Sequence, residues 1–172
     1  MTVIIKLLHL IDSLNNKLGW MFAFLLVPMG LIVIVDVTLR YGFNKGSMWA
    51  YETSMFIYGG YIVLAGAYTL LHKGHVNVDI VYGGLSPRVR AILDVLTASL
   101  FFLFMWYLFT HALGHTINSW QIRETTNTPW HPPIYPLRTT LPVACILLML
   151  QGFAKFVRDL HMALTGRELP DG

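Results

Sequence analysis

Four stretches without a single Asp, Glu, Lys or Arg, residues 18–35, 53–71, 95–113 and 139–154, leave this chain little freedom in how it can fold. Each is close to the ~20 residues that a helix needs to cross a bilayer core. Hydrocarbon offers backbone N–H and C=O groups no partner, so such segments satisfy themselves as helices. A charge at the centre of a span would cost about 2.5–3.5 kcal/mol, which is consistent with the uncharged centres here. Only 12% of the 172 residues are charged, against about 25% in a soluble domain. The expected fold is an all-α integral membrane protein with four transmembrane helices, preceded by an N-terminal amphipathic interfacial helix. The spans are expected at about 18–39, 50–71, 91–113 and 137–157, within a domain of residues 18–158, followed by a cytoplasmic tail, 159–172. The first stretch exceeds the ~7–15 apolar residues of a secretory signal, so it reads as a permanent span. Pro28 and Pro142 fall within spans, where neighbouring helices can satisfy the carbonyls they orphan.

Ahead of the first span, Ile4, Leu7, Leu8, Ile11, Leu14 and Leu18 recur at helical spacing, opposite Lys6, His9, Asp12, Ser13, Asn16 and Lys17. Residues 1–17 therefore read as an amphipathic helix on the membrane surface, with an N-terminal extension of the first span as the alternative. Lys and Arg set the orientation. Lys6, Lys17, Lys73, Arg88, Arg90, Lys155, Arg158 and Arg167 lie on one side, and Arg40, Lys45, Arg123 and Arg138 on the other. The richer side is cytoplasmic by the positive-inside rule, which places both termini there. The tryptophans at 20, 49, 106, 120 and 130 mostly fall near span ends, as an interfacial belt requires.

The residues that carry chemistry exclude several classes. There is no Gly-rich phosphate loop with its Lys and Ser/Thr, and no His pair spaced around a Glu, so ATP hydrolysis and zinc proteolysis have no machinery here. The 12 basic and 9 acidic residues are scattered over short loops rather than gathered into a stripe for nucleic acid. Cys145 lies alone in an apolar run, so no internal disulfide is possible. His111 and His115, one turn apart, with His72 and His75 elsewhere, raise the possibility of haem, but facing axial ligands at one depth are needed and the first and fourth spans have no His. Neither a catalytic residue nor a metal ligand is expected.

Polar residues at span ends are the remaining candidates. Asp36 and Arg40 are one turn apart at the outer end of the first span and can pair. Glu52 opens the second span beside Trp49. Arg40, Trp49 and Glu52 read either as contacts that fix helices to each other or to a partner, or as snorkelling boundary residues. The middle loop runs Gly74-His75-Val76-Asn77-Val78-Asp79-Ile80, alternating polar and apolar, before Ser86-Pro87 opens the third span as N-cap and first helical residue. His75 and Asp79 join the list of structural or interface candidates. Asp79 and Asp94 sit at span ends, whereas a coupling-ion site normally lies near the midplane.

The succession Arg40-Tyr41-Gly42-Phe43-Asn44, Gly46-Ser47, Trp49, Glu52, Gly66-Ala67-Tyr68-Thr69-Leu70, Gly74-His75-Val76-Asn77-Val78-Asp79, Leu85-Ser86-Pro87-Arg88, Pro142 and Gln151 resembles the small membrane subunit of tripartite ATP-independent periplasmic (TRAP) transporters. The order of the elements carries the resemblance, from about residue 36 to residue 158; Asn77 stands where the family more often has Arg. The resemblance implies a subunit of a sodium-driven importer of a small organic acid in the bacterial inner membrane. It also implies a stable heterodimer with a large transmembrane subunit that holds the substrate and sodium sites, and transient contact with a periplasmic substrate-binding protein. The chain itself would need membrane lipids and no cofactor, and would act as a scaffold rather than an enzyme.

Overall fold

The computed structural model describes residues 2–72, 74 and 84–169. Helices α1 (Thr2–Ala23) and α2 (Leu26–Gly42) are followed by α3 (Met48–Leu64) and α4 (Gly66–Leu71), which together form one span. Then come the long α5 (Pro87–Gln121), a single turn α6 (Tyr135–Arg138) and α7 (Thr140–Thr165). Among the described residues there is no strand, and four helical stretches are long and apolar enough to cross a membrane: Val3–Gly42, Met48–Leu71, Pro87–Gln121 and Tyr135–Thr165.

Local chemistry explains where these elements start and stop. Pro28 has no N–H and its ring crowds the carbonyl four residues back, and the helix is interrupted at Phe24 and Leu25, between α1 and α2. Ser86 caps α5 by accepting from the Val89 amide at 3.4 Å, with Pro87 as the first helical residue, where a missing N–H costs nothing. Pro142 likewise falls in the first turn of α7, where the missing N–H has no intrahelical partner to lose. Gly166, at φ 69°, ends α7 in the left-handed conformation that glycine adopts without strain.

Three helices have other bounds than expected. No helix end falls between residues 17 and 18, because α1 is continuous to Ala23. Helix α5 has 35 residues, about 52 Å of helix against a hydrocarbon core of about 30 Å, more than a crossing along the membrane normal needs. Helix α7 runs on to Thr165, so that the segment expected as a tail from residue 159 begins as helix.

Helix α7 is the hub, packed on α1, α3, α4 and α5. Its buried residues are mostly small: Pro142, Ala144, Cys145, Gly152 and Ala154, with Leu147 and Gln151. Small side chains let membrane helices approach closely, where packing rather than water exclusion drives association. The expected apolar face of residues 4–18 divides in two. Leu8 and Ile11 are buried against Ala154, with Val157 and Leu169 beside them, while Ile4, Leu7 and Leu14 remain outward. Helix α2 packs on α3 and buries none of its own residues.

Candidate functional site

Polar groups gather at the two ends of the bundle. Arg138, at the end of α6, and Lys155, on α7, mark the two levels, 17 residues apart, which is about 25 Å of helix and close to the thickness of a hydrocarbon core.

At the end of the bundle away from the chain termini, α2 turns into α3 through residues 43–47. Asp36 holds that turn: its Oδ2 accepts from Arg40 Nη2 at 2.8 Å, and its Oδ1 accepts from the Ser47 amide at 3.0 Å and the Ser47 hydroxyl at 2.7 Å. Asn44 takes a left-handed φ of 53° inside the turn, a conformation that asparagine tolerates better than most residues. One turn into α3, Glu52 is buried and accepts from the Thr126 hydroxyl at 3.3 Å, tying α3 to the loop 122–134. That loop is pinned in turn. Glu124 Oε1 accepts from Arg138 Nη2 at 2.6 Å, the Ile134 amide donates to the Glu124 carbonyl at 3.0 Å, and Trp120 Nε1 donates to the Thr139 hydroxyl at 2.9 Å. The Ser119 hydroxyl and the Arg138 guanidinium beside Glu124 hold its carboxyl below the usual carboxylate range.

Arg40 and Glu52 therefore meet at one place. They line an outward-opening cavity of about 360 Å³ with Ser47, Tyr51, Thr128 and Pro129. Trp49 does not join them: 43% of it is exposed, and its backbone carbonyl rather than its ring is engaged, by the Thr53 hydroxyl at 2.7 Å. His75 and Asp79 lie outside the described residues.

The opposite end carries contacts that local sequence patterns do not reveal. Arg158 pairs with Asp12. Asp12 Oδ1 also accepts from Gln151 Nε2 at 2.9 Å, and Gln151 Oε1 accepts from Asn15 Nδ2 at 2.7 Å. Because a carboxylate only accepts, it fixes the orientation of the Gln151 amide, and Gln151 in turn orients Asn15. The result is a directed polar clasp between α1 and α7. Lys155 bridges Asp94 on α5, at 2.5 Å, and Asp159 on its own helix, at 2.7 Å. His72 lies 3.3 Å from the Asn16 side chain, while His111 bonds through Nδ1 to the Tyr107 carbonyl at the other end of α5. Among the described residues no group of three or more His, Cys, Asp or Glu could hold a metal ion.

This arrangement fastens the bundle at both ends, and among the described residues no cluster of titratable groups converges between the two levels. The profile of the DctQ component of tripartite ATP-independent periplasmic transporters matches residues 29–162. Among curated proteins, the chain is 23% identical over 121 residues to the C4-dicarboxylate TRAP transporter small permease protein DctQ of Vibrio cholerae, covering 70% of this chain and 45% of that one. It is 30% identical over 84 residues, 49% of this chain and 52% of the other, to a Haemophilus influenzae protein provisionally named a TRAP transporter small permease protein. The matched part spans about half the length of these relatives. With a family profile covering most of its length and the four apolar helices in place, the chain belongs to the DctQ family of TRAP transporter components, a multi-pass membrane protein of a transport system.

Proposed function

We propose that this chain is the small membrane subunit of a sodium-driven importer of a small organic acid in the bacterial inner membrane, and that it serves as a scaffold for a large transport subunit. The observation that carries the reading is where its charged groups go. Asp12 and Asp94 fasten α1 and α5 to α7 through Arg158 and Lys155, Asp36 with Arg40 and Ser47 holds the turn into α3, and Glu124 with Arg138 pins the loop 122–134, all at the two levels, while the spans between are apolar. A substrate carboxylate or a coupling ion needs convergent polar groups near the midplane. In this reading the acid and the sodium bind the large subunit, with which the chain forms a stable heterodimer, and a periplasmic binding protein delivers the substrate transiently. The name of the Vibrio relative, a C4-dicarboxylate transporter component, supports an organic acid as cargo.

Calorimetry of the isolated chain with C4-dicarboxylates and other small organic acids tests the reading. No binding is expected, and micromolar affinity would overturn it. The proposed orientation, with both termini cytoplasmic, rests on the Lys/Arg asymmetry. A C-terminal reporter active only in the periplasm would contradict it.

A further inference from the structure

Helix α1 is divided lengthwise into three sectors, each roughly a third of its circumference at 3.6 residues per turn. Leu8, Ile11, Asn15 and Gly19 are buried against the bundle. Val3, Leu7, Leu10, Leu14 and Met21 form an exposed apolar sector. Lys6, His9, Ser13 and Lys17 form an exposed polar one. The one carboxylate of this helix, Asp12, is turned inward onto Gln151 and Arg158, so every charge that α1 presents outward is positive. Lys6 and Lys17 make no hydrogen bond or ion pair with another described residue. Glu168, exposed beside the Leu169 that packs under α1, pairs with neither of them.

Lys6 and Lys17 are eleven residues apart, which is three turns, so they stand in line about 16 Å from each other. That line is the border between the apolar sector and the polar one. Trp20, 69% exposed one turn beyond Lys17, adds to the polar sector a ring of the kind that settles at headgroup level. We propose that this border binds anionic lipid headgroups: the phosphates of neighbouring lipids accept from Lys6 and Lys17 while their acyl chains cover Leu7, Leu10 and Leu14. A packed protein helix would cover the apolar sector and leave the two ammonium groups unmatched, whereas an anionic lipid surface matches both sectors at once. The clasp of Asp12, Asn15 and Gln151 sets the roll of α1 about its axis, and so decides which sector meets the lipid.

The test is amide hydrogen exchange of residues 2–23 in the full chain, reconstituted in nanodiscs of phosphatidylcholine alone and of phosphatidylcholine with about one third phosphatidylglycerol. A lysine at an anionic surface contributes about a fivefold effect, so the anionic discs should protect α1 roughly tenfold or more over the neutral ones. The increment should vanish at high salt and in the K6Q/K17Q variant, persist in K6R/K17R, and not appear when inorganic phosphate is added to neutral discs. Because the ratio is taken between two lipids within each variant, a general loss of stability cancels. Equal protection in the two lipids, or an increment that survives in K6Q/K17Q, would overturn the proposal.

Discussion

A methyl group added at Gly19 should pull α1 off the bundle. An ideal Cβ at that position would lie 2.1 Å from Tyr68 Cδ2, 2.4 Å from its Cγ and 2.6 Å from its Cβ. Carbon atoms in contact sit about 3.5–4.0 Å apart, so the shortfall exceeds ~1 Å, and the near end of the tyrosine cannot rotate away from it. Asn15 and Asp12 lie one and two turns along the same helix, so a shift of that size stretches the bonds from Asn15 to Gln151, from Gln151 to Asp12 and from Arg158 to Asp12. Interhelical polar contacts in membranes average about 0.6 kcal/mol, so three of them sum to about 2 kcal/mol. Overpacking adds roughly 1–3 kcal/mol if α1 stays docked, and the better helix propensity of alanine returns about 1 kcal/mol. A net loss of about 2 kcal/mol shifts the docking equilibrium of α1 about 30-fold. Amide hydrogen exchange across residues 2–23 would read this as lost protection, largely restored in the Gly19→Ala/Tyr68→Ala double variant. Gly30→Ala in α2 is the control: nothing lies within 4 Å of a Cβ there, so only the propensity gain should remain. If Gly19→Ala leaves α1 as protected as the parent chain, the close approach of α1 to α4 is wrong.

Three further outcomes are expected. Replacing Arg40 and Glu52 together with Ala should lower recovery of the complex with the large subunit and reduce uptake in proportion, with apparent substrate affinity unchanged; normal assembly with altered affinity or sodium dependence would refute the scaffold reading. Glu124 should contribute acid-sensitive stability. Its carboxyl titrates below its unfolded value of 4.5, so the contribution is complete above that pH and is lost as pH falls through the folded value, and thermal unfolding of Glu124→Gln should lack this part of the acid dependence. Lys155→Met should loosen α5 from α7 by about 1–2 kcal/mol in a denaturation titration, since it removes the ammonium that bridges Asp94 and Asp159, and Asp94→Asn in the same chain should recover part of the loss.

Hydropathy located all four spans, because each is defined by an uninterrupted run of residues. It could not find where α5 and α7 end. Hydropathy marks the hydrocarbon, whereas a helix can continue into the headgroups on capping residues such as Ser86 and on polar positions such as Arg88 and Asn118. The pair of Asp36 and Arg40 was legible because both lie on one helix a turn apart. The clasp was not: Gln151 and Asp12 are 139 residues apart in sequence, and a lone glutamine in an apolar run gives no sign of its partner. Glu52 stood out as a polar residue at a span end, yet its acceptance from Thr126, 74 residues away, depends on how the loop 122–134 folds back. Asp36 also holds the turn of residues 43–47, for a carboxylate can accept from a backbone amide, a hydroxyl and a guanidinium at once.

The weak attachment of α2 bears on membranes of different thickness. Its 17 residues give about 25 Å of helix, it packs on α3, and it is bounded by the interruption at Phe24 and Leu25 and by the turn of residues 43–47. A mismatch between helix length and bilayer costs only fractions of a kcal/mol per Å and is relieved by tilt. With none of its side chains buried, α2 can change tilt at the interruption of Phe24 and Leu25 as the bilayer thins or thickens, carrying with it the turn that Asp36 pins, while the Lys155 bridge and the small residues of α7 keep α5 and α7 in register. The chain thus joins a compliant strut to a stiff pair of helices.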